Sequence, residues 1–293
     1  LEAASGDLTV VTATAGATSG SANIVLNSLG GSGNVILTAV TAVGDRVTVG
    51  ATAQIIDLGD TADDITATDI VLVAATGIGV GGSATDTELE IQATNLDIIN
   101  STSGGVNLRD VGGGMTVRDI NGSGGSHTLA GTGYIESANA LTISVSLTNN
   151  DDFRYTASNT ASNDDDLTIN NGAVVALNAS TNKTLLFQAG DDIVLGSGLA
   201  AGSITTTGSS GHSVTLDADR EGTGSDTDRG SVTQSAASGT SITTNNLTVN
   251  AGDGIGDSSQ SVIISVDTLT TTSTANNGSQ FIRESDGLND LNL

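Results

Sequence analysis

Short apolar bursts recur along this chain, each bounded by polar turn-forming residues. They include Leu8-Thr9-Val10, Ile24-Val25-Leu26, Val35-Ile36-Leu37, Val47-Thr48-Val49, Ile70-Val71-Leu72-Val73, Leu89-Glu90-Ile91, Leu141-Thr142-Ile143, Leu167-Thr168-Ile169, Val214-Thr215-Leu216 and Leu247-Thr248-Val249, about ten residues apart. Many read apolar-Thr-apolar, a period of two that buries one face of a strand. Between them lie clusters such as Gly30-Gly31-Ser32-Gly33 and Asn121-Gly122-Ser123-Gly124-Gly125, whose residues tolerate positive φ or bond their own backbone. No stretch sustains apolar residues at spacings of three and four between caps, so no amphipathic helix competes. The pattern predicts an all-β chain with more than one third of its residues in strand. It places Val35, Leu37, Ile70, Leu72, Leu89, Ile91, Val194, Val214, Leu216, Leu247, Val249 and Ile264 in the core.

Two all-β architectures accommodate many short, similar strands. A parallel β-solenoid takes a turn of roughly 18 to 25 residues and stacks each rung on the last, so that equivalent aliphatic positions form ladders inside. Tandem β-sandwich domains are the alternative, with about seven strands per ~100 residues. Composition separates them. The 293 residues include no Trp and no Pro, only Tyr134 and Tyr155 as tyrosines, and 2% aromatic against 37% hydrophobic residues. A sandwich draws on buried aromatics and Pro-bearing loops, whereas a uniform Val, Ile and Leu core suits stacked rungs. The parallel β-solenoid is therefore the expected fold.

A longer self-similarity lies above this rhythm. Ile65-Thr66-Ala67-Thr68-Asp69-Ile70-Val71-Leu72-Val73 leads into Gly77-Ile78-Gly79, and Ile242-Thr243-Thr244-Asn245-Asn246-Leu247-Thr248-Val249-Asn250 leads into Gly254-Ile255-Gly256. Similarity at a fixed offset marks repeat architectures. It divides the chain into one solenoid copy over 1–115, divergent connecting rungs over 116–166 and a second copy over 167–293. Gln188-Ala189-Gly190-Asp191-Asp192-Ile193-Val194-Leu195-Gly196-Ser197-Gly198, Gly202-Ser203-Ile204-Thr205-Thr206-Thr207 and the closing Phe281-Ile282-Arg283-Glu284-Ser285-Asp286-Gly287-Leu288 resemble repeats of filamentous-haemagglutinin-type adhesins and giant repeat-rich bacterial surface proteins. That resemblance implies a right-handed β-helix, secretion, and a role in adhesion or surface structure. It transfers no catalytic residue.

Charge narrows the choice of partners. Thirty-three Asp and Glu against eight Lys and Arg give a formal net charge of −25, which repels nucleic acid and anionic lipid. No apolar window approaches the ~18 residues that span a bilayer, so membrane insertion is not expected. The chain begins Leu1-Glu2 without an initiator Met and stops within an apolar-periodic segment. Both features fit processing, or excision from something longer. The expected partners are further copies of itself, adjoining repeats of a longer chain, and cell-surface glycans or proteins, in an extracellular or cell-surface setting.

Candidate chemistry is sparse. His127 and His212 sit in Gly/Ser-rich stretches with no Cys to complete a transition-metal site, and read as solvated turn histidines. Gly77-Ile78-Gly79-Val80-Gly81-Gly82 has the glycines of a dinucleotide fingerprint but no helix after it. Paired carboxylates occur at Asp63-Asp64, Asp151-Asp152, Asp164-Asp165-Asp166 and Asp191-Asp192. β-Helix polysaccharide-processing enzymes use such pairs, yet also need aromatic platforms and basic residues to hold sugar. With one Lys, three Phe and two Tyr the chain offers few of these, and it is expected not to be an enzyme. Where hard oxygens cluster at turns, calcium is the candidate cofactor, with Asp151, Asp152, Asp164, Asp165, Asp166, Asp191 and Asp192 as its ligands. The strict Gly-Gly-x-Gly-x-Asp calcium-roll nonapeptide is absent: Gly30-Gly31-Ser32-Gly33-Asn34-Val35 carries Val at the Asp position, and Gly81-Gly82-Ser83-Ala84-Thr85-Asp86 carries Ala at the third Gly. The function expected is a non-enzymatic structural segment, an adhesin, stalk or spacer. A self-assembling filament or surface-layer subunit is the second expectation.

Overall fold

The computed structural model describes residues 1–16, 21–59, 61–80, 88–158, 165–196, 201–219, 230–235, 239–273, 278–287 and 290–292. Asp164 and the Gly81–Asp86 stretch lie outside these residues. Strands cover well over one third of the chain, and no described residue is helical. Contacts group the chain into two compact units, Leu1–Ser137 and Ala138–Leu293.

Each unit is a stack of rungs whose strands pair in parallel, rung upon rung. In the first unit one ladder runs through Leu8–Val10, Val35–Leu37 and Ile55–Asp57. A second runs from Ala13–Thr14 through the leading parts of Val40–Ala51 and Ile65–Ala74 to Leu89–Gln92. A third passes through Ile24–Ser28, the trailing parts of the same two long strands, and Asn95–Asn100. The second unit repeats the scheme. Leu141–Ile143, Leu167–Ile169, Ile193–Leu195 and Val232–Gln234 form one ladder. Leu147–Asn149, Val174–Asn178, Ser203–Thr207 and the front of Ile242–Ala251 form the next. Phe153–Ala157, Thr184–Ala189, Ser213–Asp217 and the rear of Ile242–Ala251 form the third. This is the parallel β-solenoid. A sandwich requires antiparallel pairing, which none of these ladders has.

The rungs are longer than 18 to 25 residues in many places. Side-chain bonds between adjoining rungs join residues from 17 apart, as between Ala93 and Asp110, to 39 apart, as between Ser231 and Asp192. The extra length goes into the connections at corners, because the strands themselves are mostly three to six residues.

Inside, equivalent positions stack like on like. Leu141, Leu167, Ile193 and Val232 follow one another in register and are all fully buried, while the Thr between apolar neighbours is half-exposed. Each such aliphatic side chain contributes about 1.5–3 kcal/mol on burial. Of the twelve predicted core residues, eleven are buried; the exception is Val194, the outward middle residue of Ile193–Leu195. Three of the five aromatics lie together, with ring centroids 5.0 Å apart for Phe153–Tyr155 and 5.3 Å for Tyr155–Phe187. Tyr155 is fully buried, and its hydroxyl donates to Asn149 Oδ1 at 3.0 Å.

The two Gly-Ile-Gly motifs take the same local form within their units. Ile78 bridges Ile55 below and Val106 above, and Ile255 bridges Val232 and Gln280. The second glycine has φ +63° at Gly79 and +64° at Gly256, and a Cβ there would run into the Asn107 and Phe281 carbonyls of the adjoining rung. Only glycine satisfies both demands.

Candidate functional site

At corners, where the chain leaves one ladder for the next, some backbone N–H groups find no strand partner, and side chains of the adjoining rung accept them. Asp7 Oδ1 takes the N–H of Asn34 at 2.8 Å, and Asn34 Oδ1 takes that of Gln54 at 3.1 Å. Asn23 Oδ1 takes that of Arg46 at 3.2 Å.

Three of the carboxylates expected to bind calcium, those of Asp166, Asp191 and Asp192, belong to this system. Asp166 Oδ1 accepts the Asp192 N–H at 3.0 Å, Asp192 Oδ1 accepts that of Ser231 at 2.7 Å, and Asp191 Oδ2 accepts that of Asp165 at 3.1 Å. Asp165 and Asp191 are buried. Such charge-assisted bonds are stronger than neutral ones and hold successive rungs in register. Asp151 and Asp152 instead surround the single Lys of the chain. The Lys183 ammonium contacts Asp151 and lies 3.5 Å from Asp152 Oδ2, while Asp152 Oδ1 accepts the Thr184 N–H at 2.7 Å. The hydrogen bond to Asp151 holds the Lys183 ammonium above its usual pKa.

Among the described residues a different trio is compact enough to share one ion. Asp57 ends the strand Ile55–Asp57, Asp64 precedes Ile65–Ala74, and Glu90 lies on Leu89–Gln92; one oxygen of each lies within 4.8 Å of the others. All three are buried, at 2%, 0% and 3% exposure, so solvent does little to screen their charges. The Glu90 N–H donates to Asp64 Oδ2 at 3.1 Å, and the Gly59 N–H donates to Asp57 Oδ2 at 2.7 Å. Burial, and then the Asp57 charge, pushes the Asp64 carboxyl up to about 9. It therefore carries a proton at neutral pH. Oxygens at this separation span what a calcium ion bridges at about 2.3–2.6 Å per ligand, so proton and hard cation are the two ways to relieve the group. The Asp63-Asp64 doublet pointed to one member. Asp57 and Glu90 stand alone in their segments, and only rung stacking brings them in.

Both histidines are buried rather than solvated, which corrects the sequence reading. His212 Nδ1 accepts the Lys183 N–H at 3.1 Å, leaving Nε2 to donate toward Ala179 O at 3.1 Å and Thr207 O at 3.0 Å. It ties the Ala179 carbonyl to that of Thr207, which also accepts the Ala179 N–H at 3.2 Å. His127 opens the strand His127–Leu129, with Nδ1 3.3 Å from Asp97 Oδ1 and Nε2 3.2 Å from Ser123 Oγ.

No described helix is long and apolar enough to cross a membrane. The chain matches no protein-family model, no curated protein and no solved structure.

Proposed function

We propose that this chain is a structural segment of a large secreted or cell-surface repeat protein, an adhesin, stalk or spacer, rather than an enzyme acting on polysaccharides. One observation carries this reading: within each unit the residues are committed to stacking rungs, with aliphatic ladders inside and acidic side chains at corners bonding the adjoining rung. Such an arrangement resists sliding of one rung on the next, as a load-bearing spacer requires. Its partners on this reading are adjoining repeats and surface glycans or proteins. Electron microscopy of the purified chain tests it, with isolated particles of one size expected. Fibres would favour a self-assembling filament instead, and carboxylate-dependent turnover of a polysaccharide would overturn the non-enzymatic part. Protease shaving of intact source cells tests the surface location, since a surface segment is cleaved while cytoplasmic markers survive.

A further inference from the structure

Each unit carries a surface cleft at the corner where its second ladder gives way to its third, and rung stacking alone makes no use of it. In the first unit Thr66, Ala67 and Thr68 line the middle, on the long strand Ile65–Ala74, with Gln92 and Thr94 on the following rung and Gly112 on the one after. Val43 and Gly44 complete it on the preceding rung, where the pairing of Val40–Ala51 with Ile65–Ala74 shifts register. In the second unit Thr243, Thr244 and Asn245 take the middle, Ser265 and Asp267 the following rung, Asp286 the one after, and Thr206 the preceding one.

The two clefts occupy one position of the internal repeat. Ile65 in register with Ile91 adjoins the first, and Ile242 in register with Ile264 adjoins the second. Asp110 and Glu284 hold equivalent places on the next rung, in register with Ile91 and Ile264. Thr66 therefore corresponds to Thr243, Gln92 to Ser265 and Gly112 to Asp286. Bulk is exchanged between rungs without closing the cleft. A Cβ at Gly112 would meet Gln92 at 3.1 Å, so the long amide needs a bare neighbour, whereas the short Ser265 stands beside the larger Asp286. The volumes stay close, at 270 and 220 Å³, just below those of pockets that enclose a small molecule. With neighbouring strands ~4.8 Å apart, a cleft crossing four rungs is about 14 Å long, which suits a stretch of polymer.

The lining decides which polymer. The main chain beneath the first cleft is already paired, with the Thr94 N–H on Thr68 O at 3.1 Å and the Thr116 N–H on Thr94 O at 2.9 Å, so side chains carry recognition. Among the described residues the hydroxyls of Thr66, Thr68, Thr94 and Thr243 have no hydrogen-bond partner, and each can both donate and accept. In the second cleft Asn245 Nδ2 donates to Asp267 Oδ2 at 3.0 Å and Ser265 Oγ to Asp286 Oδ2 at 2.6 Å, which orients both carboxylates as acceptors. The Ser265 bond holds the Asp286 carboxyl below its usual pKa, so it is ionised at neutral pH. Among the described residues no Lys, Arg or aromatic side chain lines either cleft. An anion finds no counter-charge there and a flat apolar group finds nothing to stack on.

We propose that each cleft binds a stretch of neutral polysaccharide, its sugar hydroxyls exchanging hydrogen bonds with the threonines and, in the second unit, donating to Asp267 and Asp286. The second cleft is the tighter site, because a hydroxyl on a carboxylate bonds more strongly than a hydroxyl on a hydroxyl. The proposal deepens the adhesin form of the reading above and rests on it for the setting in which such polymers are met.

Calorimetric titration of the full chain tests it, with neutral hexasaccharides of glucose, mannose, galactose and N-acetylglucosamine, and with hexagalacturonate and hexalysine as charged controls, at about 0.15 M salt. At least one neutral hexasaccharide is expected to bind more tightly than either charged oligomer. Asp286→Ala, at an exposed position, should weaken the tighter site about tenfold. Thr243→Arg should fill the second cleft and leave only the weaker site, Thr68→Arg should do the reverse, and Thr9→Arg, outside both clefts, should change nothing; all three threonines are exposed, and melting temperatures check that the variants fold. No binding of any neutral hexasaccharide would overturn the proposal, as would tighter binding of a charged oligomer, or binding that survives Thr68→Arg and Thr243→Arg together. Particle size and surface cleavage are read separately, so a failure here is distinguishable from a failure of the structural reading.

Discussion

Replacing Asp64 with Asn keeps the shape of a buried side chain and removes its ability to ionise. In the folded chain burial and the Asp57 charge push the Asp64 carboxyl from 3.8 up to about 9, whereas in the unfolded chain it titrates near its ordinary value. Between these pH values the folded state holds one proton more than the unfolded state. Wild-type stability must therefore fall as pH rises, by about 1.4 kcal/mol per unit from this group. At pH 7, roughly three units above the unfolded value, the loss amounts to about 4 kcal/mol. The Asn amide can still accept the Glu90 N–H and donate toward Asp57, so the variant should resemble wild type near pH 4 and overtake it steadily above. Urea unfolding followed by circular dichroism, in chelator, at several pH values from 4 to 8.5 measures the difference. Solenoid rungs can open in parts, so exchange of the Glu90 amide provides a local readout. A stability difference between Asn and Asp that stays flat across this range would refute the reasoning.

Leu216→Asp should destabilise the second unit by roughly 3–5 kcal/mol, because Leu216 is fully buried in register between Phe187 and Val249 and the new charge would have no partner; a wild-type melting curve would mean that the strand register is wrong. Tyr155→Phe should cost about 1–3 kcal/mol in urea unfolding, since it removes the donor to the buried Asn149 Oδ1 and leaves that oxygen unmatched; a neutral effect would show that the hydroxyl is dispensable. Calcium and magnesium at matched ionic strength should raise the melting temperature equally, because Asp151 and Asp152 hold Lys183 and the Asp166 and Asp192 carboxylates accept backbone N–H groups. A calcium-specific rise would refute this, and its loss in Asp64→Asn would place the ion at the buried trio.

The ladders were legible wherever Thr marked the outward face. Leu141-Thr142-Ile143 and Val214-Thr215-Leu216 fix their own register, because a shift by one residue would bury the hydroxyl and expose two aliphatic side chains. Ile193-Val194-Leu195 carries no such mark, and its inward residues proved to be the outer two. The histidines illustrate a second limit. Glycine and serine around them signal a turn, but what draws the ring inside is the demand of carbonyls or a carboxylate on another rung, 30 or so residues away, as with Ala179 and His212 at 33. Local pattern contains no record of that demand. The same holds for Asp57, Asp64 and Glu90. Acidic doublets gave a partial guide to the corners, yet doublet and neighbour alike turned out to bond backbone N–H groups, a role that residue type alone does not separate from ion binding.

Most bonds across the corners reach to the next rung, and so do the strand pairings beside them, whose partners lie a few tens of residues apart in a chain of 293. Each loop to be closed is short, so the entropy lost in adding a rung is small and nearly constant from one rung to the next. Once a first rung is in place, its exposed edge is a template on which the following segment can settle, with Asp166 ready for the amide of Asp192 and Asp192 for that of Ser231. Growth by accretion of this kind needs neither the far end of the polypeptide nor a crosslink, and a chain threaded slowly through a narrow opening could fold from its leading end while the remainder is still in transit.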